Sequence, residues 1–229
     1  MRGTIVNAAA ILIGSGIGLA AGGRLPERFQ RIITSGLGLA TLLIGAQMAL
    51  KAENVLVVIA SLVIGGILGE WLDIEGVLER VGNRLKSWAH SGSGTFVTGY
   101  VTASLVFCVG PMTIVGSIQE GMGGTADLLY TKSLLDGAAS MAFASAMGIG
   151  VSCAAVTVIV FQGTLTLLGT KVAFLLRPEV LSELTATGGL LILGIAFLLL
   201  DIKRLRVANL LPALLVVVLL TKARFSLGW

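Results

Sequence analysis

Charge is what this sequence has least of. Only 12% of its 229 residues are Asp, Glu, Lys or Arg, roughly half the share of a soluble domain. A compact particle with so little charge does not stay in water, so the apolar surplus, 55% of the chain, is expected to face lipid. Histidine is almost missing. His90 stands alone, which excludes a histidine-cluster metal site. The two cysteines, Cys108 and Cys153, lie in apolar segments with neither metal-ligand spacing nor a secreted-domain context, so no disulfide framework is expected. Aromatic girdles and alternating segments of about ten residues, the marks of a transmembrane barrel, are absent. The net charge is +4, yet there is no basic run or aromatic-basic platform, so no nucleic-acid partner is expected. The excess Lys and Arg are read as loop residues that set orientation and meet lipid headgroups.

What is present is a series of apolar runs of membrane-spanning length and 31 glycines. Glycine weakens soluble helices, but in membranes small residues let helix backbones approach closely. The expected fold class is all-α: a polytopic transmembrane helical bundle forming one membrane domain over residues 1–229. Eight spans are read, with seven as the alternative: Ile5 to Ala21, Ile33 to Leu50, Val55 to Leu72, Phe96 to Ile118, Ser133 to Gly150, Val151 to Leu176, Gly188 to Leu200 and Val207 to Leu220. The first resembles a signal peptide but is read as a retained span. The fifth and sixth meet at Gly148-Ile149-Gly150 with no charge between them, as a hairpin, a re-entrant element or one broken helix. Between the third and fourth spans, Glu70 to Gly94 carries mixed charge. Val77, Leu78, Val81 and Leu85 have helical spacing and Trp71 and Trp88 lie near the ends, so an interfacial amphipathic helix is expected. A flexible joint, Ser91-Gly92-Ser93-Gly94, follows it.

Lys and Arg divide nine to seven between the two sets of loops, weakly favouring both termini outside. Such near-balance is one mark of halves that insert in opposite directions. Pro26, Glu27 and Lys51 match Pro178, Glu179 and Lys203 at a constant offset of 152, and Asn54 loosely answers Asn209. Spans one to three (1–72) and six to eight (151–229) are therefore expected to form an inverted repeat around the interfacial segment 73–95 and a central polar pair, 96–150. In secondary transporters, substrate sites lie at the interface of such repeats.

The central pair holds the candidate chemistry. The fourth span carries Thr98, Thr102, Ser104, a Gly110-Pro111 break, Thr113, Ser117, Gln119 and Glu120. Proline inside a helix removes a hydrogen bond, and in lipid the freed groups must find another partner or a wet cavity. In the fifth span, Lys132, Asp136, Ser140, Ala144 and Gly148 recur every fourth residue and form one polar, small-residue face, so Asp136 is expected to point inward. A buried carboxylate needs a partner, a cation or water, and Lys132, one turn away, is the candidate partner. The expected binding set is Asp136, Glu120, Gln119, Ser117, Ser133 and Ser140. Asn7 and Gln162 are read as interhelical glue. The stripes Ala10-Gly14-Gly18-Gly22 and Ser61-Gly65-Gly69 are read as packing seams, within the bundle or between copies of a homo-oligomer.

Gly3-Thr4-Ile5-Val6-Asn7, Gly69-Glu70-Trp71-Leu72-Asp73, Val115-Gly116-Ser117-Ile118-Gln119-Glu120-Gly121, Lys132-Ser133 with Asp136-Gly137, Thr185 to Gly194, and Asn209-Leu210-Leu211-Pro212-Ala213-Leu214 together resemble the prokaryotic membrane-protein family called domain of unknown function 554, over nearly the whole chain. The resemblance implies a multi-pass protein of a bacterial or archaeal inner membrane and names no substrate. In the family pattern Asp commonly stands at the position of Glu120 and a small residue at that of Pro111. The function expected from the residues is alternating-access transport of a small solute or ion. A channel-like pore and a non-transporting scaffold or regulator are the alternatives. No Ser/His/Asp set, metal cluster or cofactor motif is visible, so neither an enzyme nor a cofactor is expected.

Overall fold

The computed structural model describes residues 1–22, 26–88, 94–203 and 205–227. His90, the Ser91-Gly92-Ser93 joint, Arg24-Leu25 of the repeat and Arg204 lie outside them. The described residues form ten α-helices and no strand: α1 Arg2–Gly22, α2 Glu27–Ala49, α3 Val55–Leu72, α4 Ile74–Trp88, α5 Phe96–Cys108, α6 Pro111–Gly121, α7 Asp127–Met147, α8 Gly150–Leu167, α9 Pro178–Leu199 and α10 Ala213–Leu227, with 3-10 turns at Ala173–Leu176 and Val207–Leu210. By length and composition, six helical segments among them can cross a membrane, or seven if α5 and α6 count as one bent span. α7 has the length, at 21 residues, but Asp127, Lys132, Asp136 and its serines lower its hydropathy. Large apolar side chains such as Ile13, Ile32, Ile67, Val160 and Leu215 point outward, as expected of helices whose solvent is lipid.

The chain forms two compact units, interleaved in sequence: Met1–Leu37 with Glu79–Ala173, and Gly38–Leu78 with Phe174–Trp229. In the first, Gly14, Gly18 and Gly22 of α1 press against Gly137, Met141 and Ser145 of α7. These contacts climb in the same direction, so α1 and α7 run parallel. Phe96 lies against Gly150, Ser104 against Thr157 and Gly121 against Thr166, which makes α5–α6 parallel to α8. Glu120, at the end of α6, meets Gly3 at the start of α1. The α5–α6 pair and α8 are therefore antiparallel to α1 and α7. Gly148-Ile149 is thus a hairpin turn, and its φ of 82° at Gly148 is one that only glycine adopts readily.

The Gly110-Pro111 break is real. α5 ends at Cys108, Pro111 opens α6, and the two helices differ in direction by 59°. Pro is suited to the first turn of a helix because its missing N–H would have no intrahelical partner there. Thr113 Oγ1 donates to the Phe107 carbonyl at 3.0 Å, satisfying one group that the break exposes.

In the second unit, Gly38 and Gly45 of α2 lie against Leu200, Gly189 and Leu193, so α2 and α9 are antiparallel. Gly65 lies on Ala213 and Gly69 on Asn209, so α3 and α10 are antiparallel too. Both small-residue stripes thus pack inside their own units. The expected amphipathic helix is α4, and Trp71 just before it and Trp88 at its end are 82% and 87% exposed. At its start Asp73, in the left-handed region, turns the chain from α3 into α4. Asn209 Nδ2 donates to Glu70 Oε2 at 2.6 Å and Asn209 Oδ1 accepts from the Glu75 amide at 2.7 Å. Arg206 pairs with Glu70 and Asp73. Its side chain is half exposed, so water and salt screen these pairs and they orient the turn more than they stabilise it.

Candidate functional site

The face of α7 read from every fourth residue is the buried one: Lys132, Asp136, Ser140 and Ala144 are all buried. Lys132 Nζ donates to Asp136 Oδ2 as an ion pair one turn apart. The same oxygen accepts from Asn7 Nδ2 on α1 at 3.0 Å. Asn7 Nδ2 also donates to Gln162 Oε1 on α8 at 3.0 Å. A carboxylate only accepts, and this fixes the amide orientations down the chain of bonds. Asn7 must turn its nitrogen to Asp136, Gln162 must turn its oxygen to Asn7, and Asn7 Oδ1 and Gln162 Nε2 are left facing elsewhere. Both atoms are buried and have no hydrogen-bond partner.

The parallel packing of α1 on α7 repeats every turn. Gly3 N–H donates to Glu120 Oε1 at 3.0 Å. Four residues on, Asn7 reaches Asp136. Four more, the Ile11 carbonyl accepts from Ser140 Oγ at 3.1 Å. Residues at i, i+4 and i+8 share a helix face and are spaced about 6 Å along the axis. Glu120 and Asp136 are thus brought to the same stripe of α1, about one turn apart. Glu120 Oε1 also meets the Met1 amino group at 2.9 Å, while Oε2 is buried and unpartnered.

All six residues of the expected set belong to the first unit, and five of them, Asp136, Glu120, Ser117, Ser133 and Ser140, are enclosed or partly enclosed in it. Ser140 shares its single hydroxyl proton between the Ile11 and Gly137 carbonyls, and Ser133 donates to the Leu129 carbonyl. Both hydroxyls therefore use their proton on backbone and keep lone pairs. Ser117 Oγ is buried without a partner. Gln119 is exposed, and its backbone carbonyl accepts from the Gly124 amide at 2.9 Å. It sits apart from the others because one residue along a helix turns a side chain by about 100°.

Asn7 and Gln162 do more than glue helices. They complete the surroundings of Asp136. The signal lay in the sequence: Asn7 shares a face with Gly14, Gly18 and Gly22, so it had to meet whatever packs on that stripe. Glu183 of α9 was missed entirely. It is only 2% exposed, its Oε1 accepts from the Asn54 amide at 2.5 Å, and its Oε2 is buried without a partner. Asn54 in turn caps α3, accepting from Leu56 and Val57 amides at 3.1 and 3.2 Å. Glu183→Leu is expected to destabilise the fold by about 1–3 kcal/mol, because the half-buried Asn54 amide loses its acceptor, whereas Glu183→Gln keeps an acceptor there and costs less. Thermal unfolding of the two variants in detergent checks the order.

The family described as "Protein of unknown function (DUF554)" matches residues 2–222. The chain is 34% identical over 226 residues to the "Uncharacterized protein YqgA" of Escherichia coli (strain K12), covering 96% of each chain. It is 30% identical over 220 residues to the "Uncharacterized membrane protein YdfK" of Bacillus subtilis (strain 168), covering 94% of this chain and 93% of that one. No solved structure matches. The chain belongs to the DUF554 family, and it is a membrane protein.

Proposed function

We propose that this member of the family is a secondary transporter of a small solute or ion, working by alternating access in a prokaryotic inner membrane, with Asp136 and Glu120 as intramembrane carboxylates that take up a cation or coupling proton. The observation that carries the reading is the buried Lys132–Asp136–Asn7–Gln162 cluster with two unpartnered polar atoms. A structural ion pair has no need of orphans beside it, since each buried unbonded polar group costs about 1–3 kcal/mol. Ionisable groups inside a membrane are costly and mark ion or proton pathways. Lys132 is a resident cation on Asp136. It leaves when the carboxylate takes a proton or another cation, and that exchange couples occupancy to a change in the charge of the cluster.

An inverted repeat, read from the constant offset of 152, is the second support for the mechanism. Adding 152 to the bounds of α2 and α3 gives 179–201 and 207–224. α9 is Pro178–Leu199, and the last apolar segment is Val207–Arg224. The same shift takes α1 to 154–174, against Gly150–Leu167 for α8. Within the first unit α1 and α8 are antiparallel, and within the second so are α2 and α9, and α3 and α10, as an inverted repeat requires. On this reading α7 and the bent α5–α6 pair also cross the membrane, beside the six apolar segments.

The test is flux in proteoliposomes. Wild-type protein is expected to catalyse uptake of at least one solute or ion down an imposed proton or cation gradient, and Asp136→Asn is expected to lower that rate by about 100-fold or more, the scale of removing an essential proton carrier. Undiminished flux in Asp136→Asn, in protein shown to be folded, counts against the assignment.

A further inference from the structure

Unit one contains more unpartnered oxygen than the Asp136 pair accounts for. Thr4 Oγ1, Asn7 Oδ1, Ser117 Oγ and Glu120 Oε2 are all buried side-chain oxygens without a hydrogen-bond partner. They come from two short segments of two touching helices. Thr4 and Asn7 are three residues apart on α1, and Ser117 and Glu120 are three apart on α6, so each pair consists of surface neighbours on its helix. Gly3 N–H to Glu120 Oε1 ties the two segments together. Packing sets the direction of Ser117: Gly116 presses on Leu129 of α7 and Gly121 on Thr166 of α8. Ser117 lies between these two lines of contact on the helix, so it faces the interior bounded by α7 and α8. Asn7 reaches Asp136 on α7 and Gln162 on α8, so it faces the same interior from α1.

Buried polar groups in folded proteins nearly always have partners, and an orphan calls for a missing ion or water. Four orphan oxygens, two from one turn of α1 and two from one turn of α6, are a candidate donor set. It is hard, consisting of two hydroxyls, one amide carbonyl and one carboxylate oxygen, with no nitrogen or sulfur ligand. Its charge is low. Asp136 is neutralised by Lys132, and Glu120 Oε1 is held by the Gly3 amide and the Met1 amino group, leaving one carboxylate oxygen for the site. Calcium usually takes several carboxylates in a shell of six to eight oxygens, and magnesium keeps bound waters. One carboxylate oxygen among neutral oxygens suits a monovalent ion.

We infer that α1 and α6 hold a dehydrated alkali cation on Thr4 Oγ1, Asn7 Oδ1, Ser117 Oγ and Glu120 Oε2. The inference rests on the reading of this unit as an ion-handling centre, and it assigns the ion: a metal cation is bound at α1–α6, one helical turn from the Lys132–Asp136 pair. Asn7 joins the two. Its nitrogen holds Asp136 and its oxygen binds the cation, so occupancy of one site is felt at the other.

The experiment is thermal unfolding of the full chain, purified in detergent, in sodium, lithium, potassium or choline chloride at equal ionic strength. At least one alkali cation is expected to raise Tm saturably over choline, by about 5–10 °C at roughly a hundredfold excess over Kd. The paired substitution Thr4→Ala with Ser117→Ala is expected to move half-saturation upward by about tenfold or more, each ten-fold corresponding to about 1.4 kcal/mol. Its Tm in choline should stay close to the wild-type value, because neither hydroxyl has a partner to lose. Equal Tm in all four salts overturns the site, and so does an undiminished cation response in the paired variant. The transport reading fails separately. A cation response with no flux for any solute leaves the site standing without transport. Proton-driven flux with no cation response leaves transport standing without the site.

Discussion

Asp136→Ala is expected to destabilise the protein by about 3–5 kcal/mol, whereas replacing both partners, Lys132→Met with Asp136→Leu, is expected to avoid most of that loss. Lys132 and Asp136 are both buried, and each is the other's charge partner. Removing one half of a buried pair leaves the other charged with nothing to balance it, and that is the costly case. Removing both, as in Lys132→Met with Asp136→Leu, takes the desolvation cost away together with the attraction. Apolar replacements of buried ion pairs are often neutral or stabilising by about 1–4 kcal/mol. Asn7 loses an acceptor in that variant, which offsets part of the gain. Unfolding in detergent over a denaturant or temperature series measures all three forms. A double variant as unstable as Asp136→Ala means that Asp136 acts through something other than its charge balance with Lys132.

Gly18→Leu is the second large effect. A Cβ at Gly18 would overlap the Met141 carbonyl of α7, and the same is true of Gly14 against the Gly137 carbonyl. The obstruction is backbone, which cannot swing aside as a side chain can. α1 must separate from α7, and with it go the bonds from Asn7 to Asp136 and from Ser140 to Ile11. The cost is expected to be about 3 kcal/mol or more, at the upper end for overpacked sites. Gly16 is the control. It lies two residues away on the same helix and nothing stands within 4 Å of its Cβ position. Gly16→Leu adds an apolar side chain on an open face and removes a flexible residue from a helix, so it is expected to be neutral or slightly stabilising. A comparable loss in both variants means that α1 tolerates no change on any face and that the contact with α7 is not the cause.

Much of this arrangement was legible in the sequence because it is local. Charge scarcity and apolar run length set the class. Gly110-Pro111 marked the break between α5 and α6, since proline acts within its own turn of helix. The four-residue count from Lys132 to Ala144 picked out the buried face of α7, because helix periodicity is fixed by the backbone; its last member, Gly148, falls in the turn beyond the helix. Residues that meet only through tertiary packing were harder. Asp136 lies 129 residues from Asn7, and Asn7 lies 155 from Gln162. Periodicity says that each faces inward and does not say which inward faces meet. Gln119 was grouped with Ser117 and Glu120 by closeness in sequence, while its angle on the helix turns it outward. Glu183 escaped because it stands one turn after Pro178, where a carboxylate reads as an ordinary helix-start charge. It is the amide of Asn54, far away in sequence, that gives it a buried role.

The most direct test of the whole account compares flux through wild type and through the Lys132→Met, Asp136→Leu double variant, in proteoliposomes matched for folded protein. The double variant is expected to keep the wild-type fold, since its buried charges leave as a pair. If the cluster is an ion-handling centre, this stable protein transports nothing measurable. If the pair serves only to hold α7 in place, flux in the double variant equals that of wild type, and the proposed role of Asp136 is contradicted.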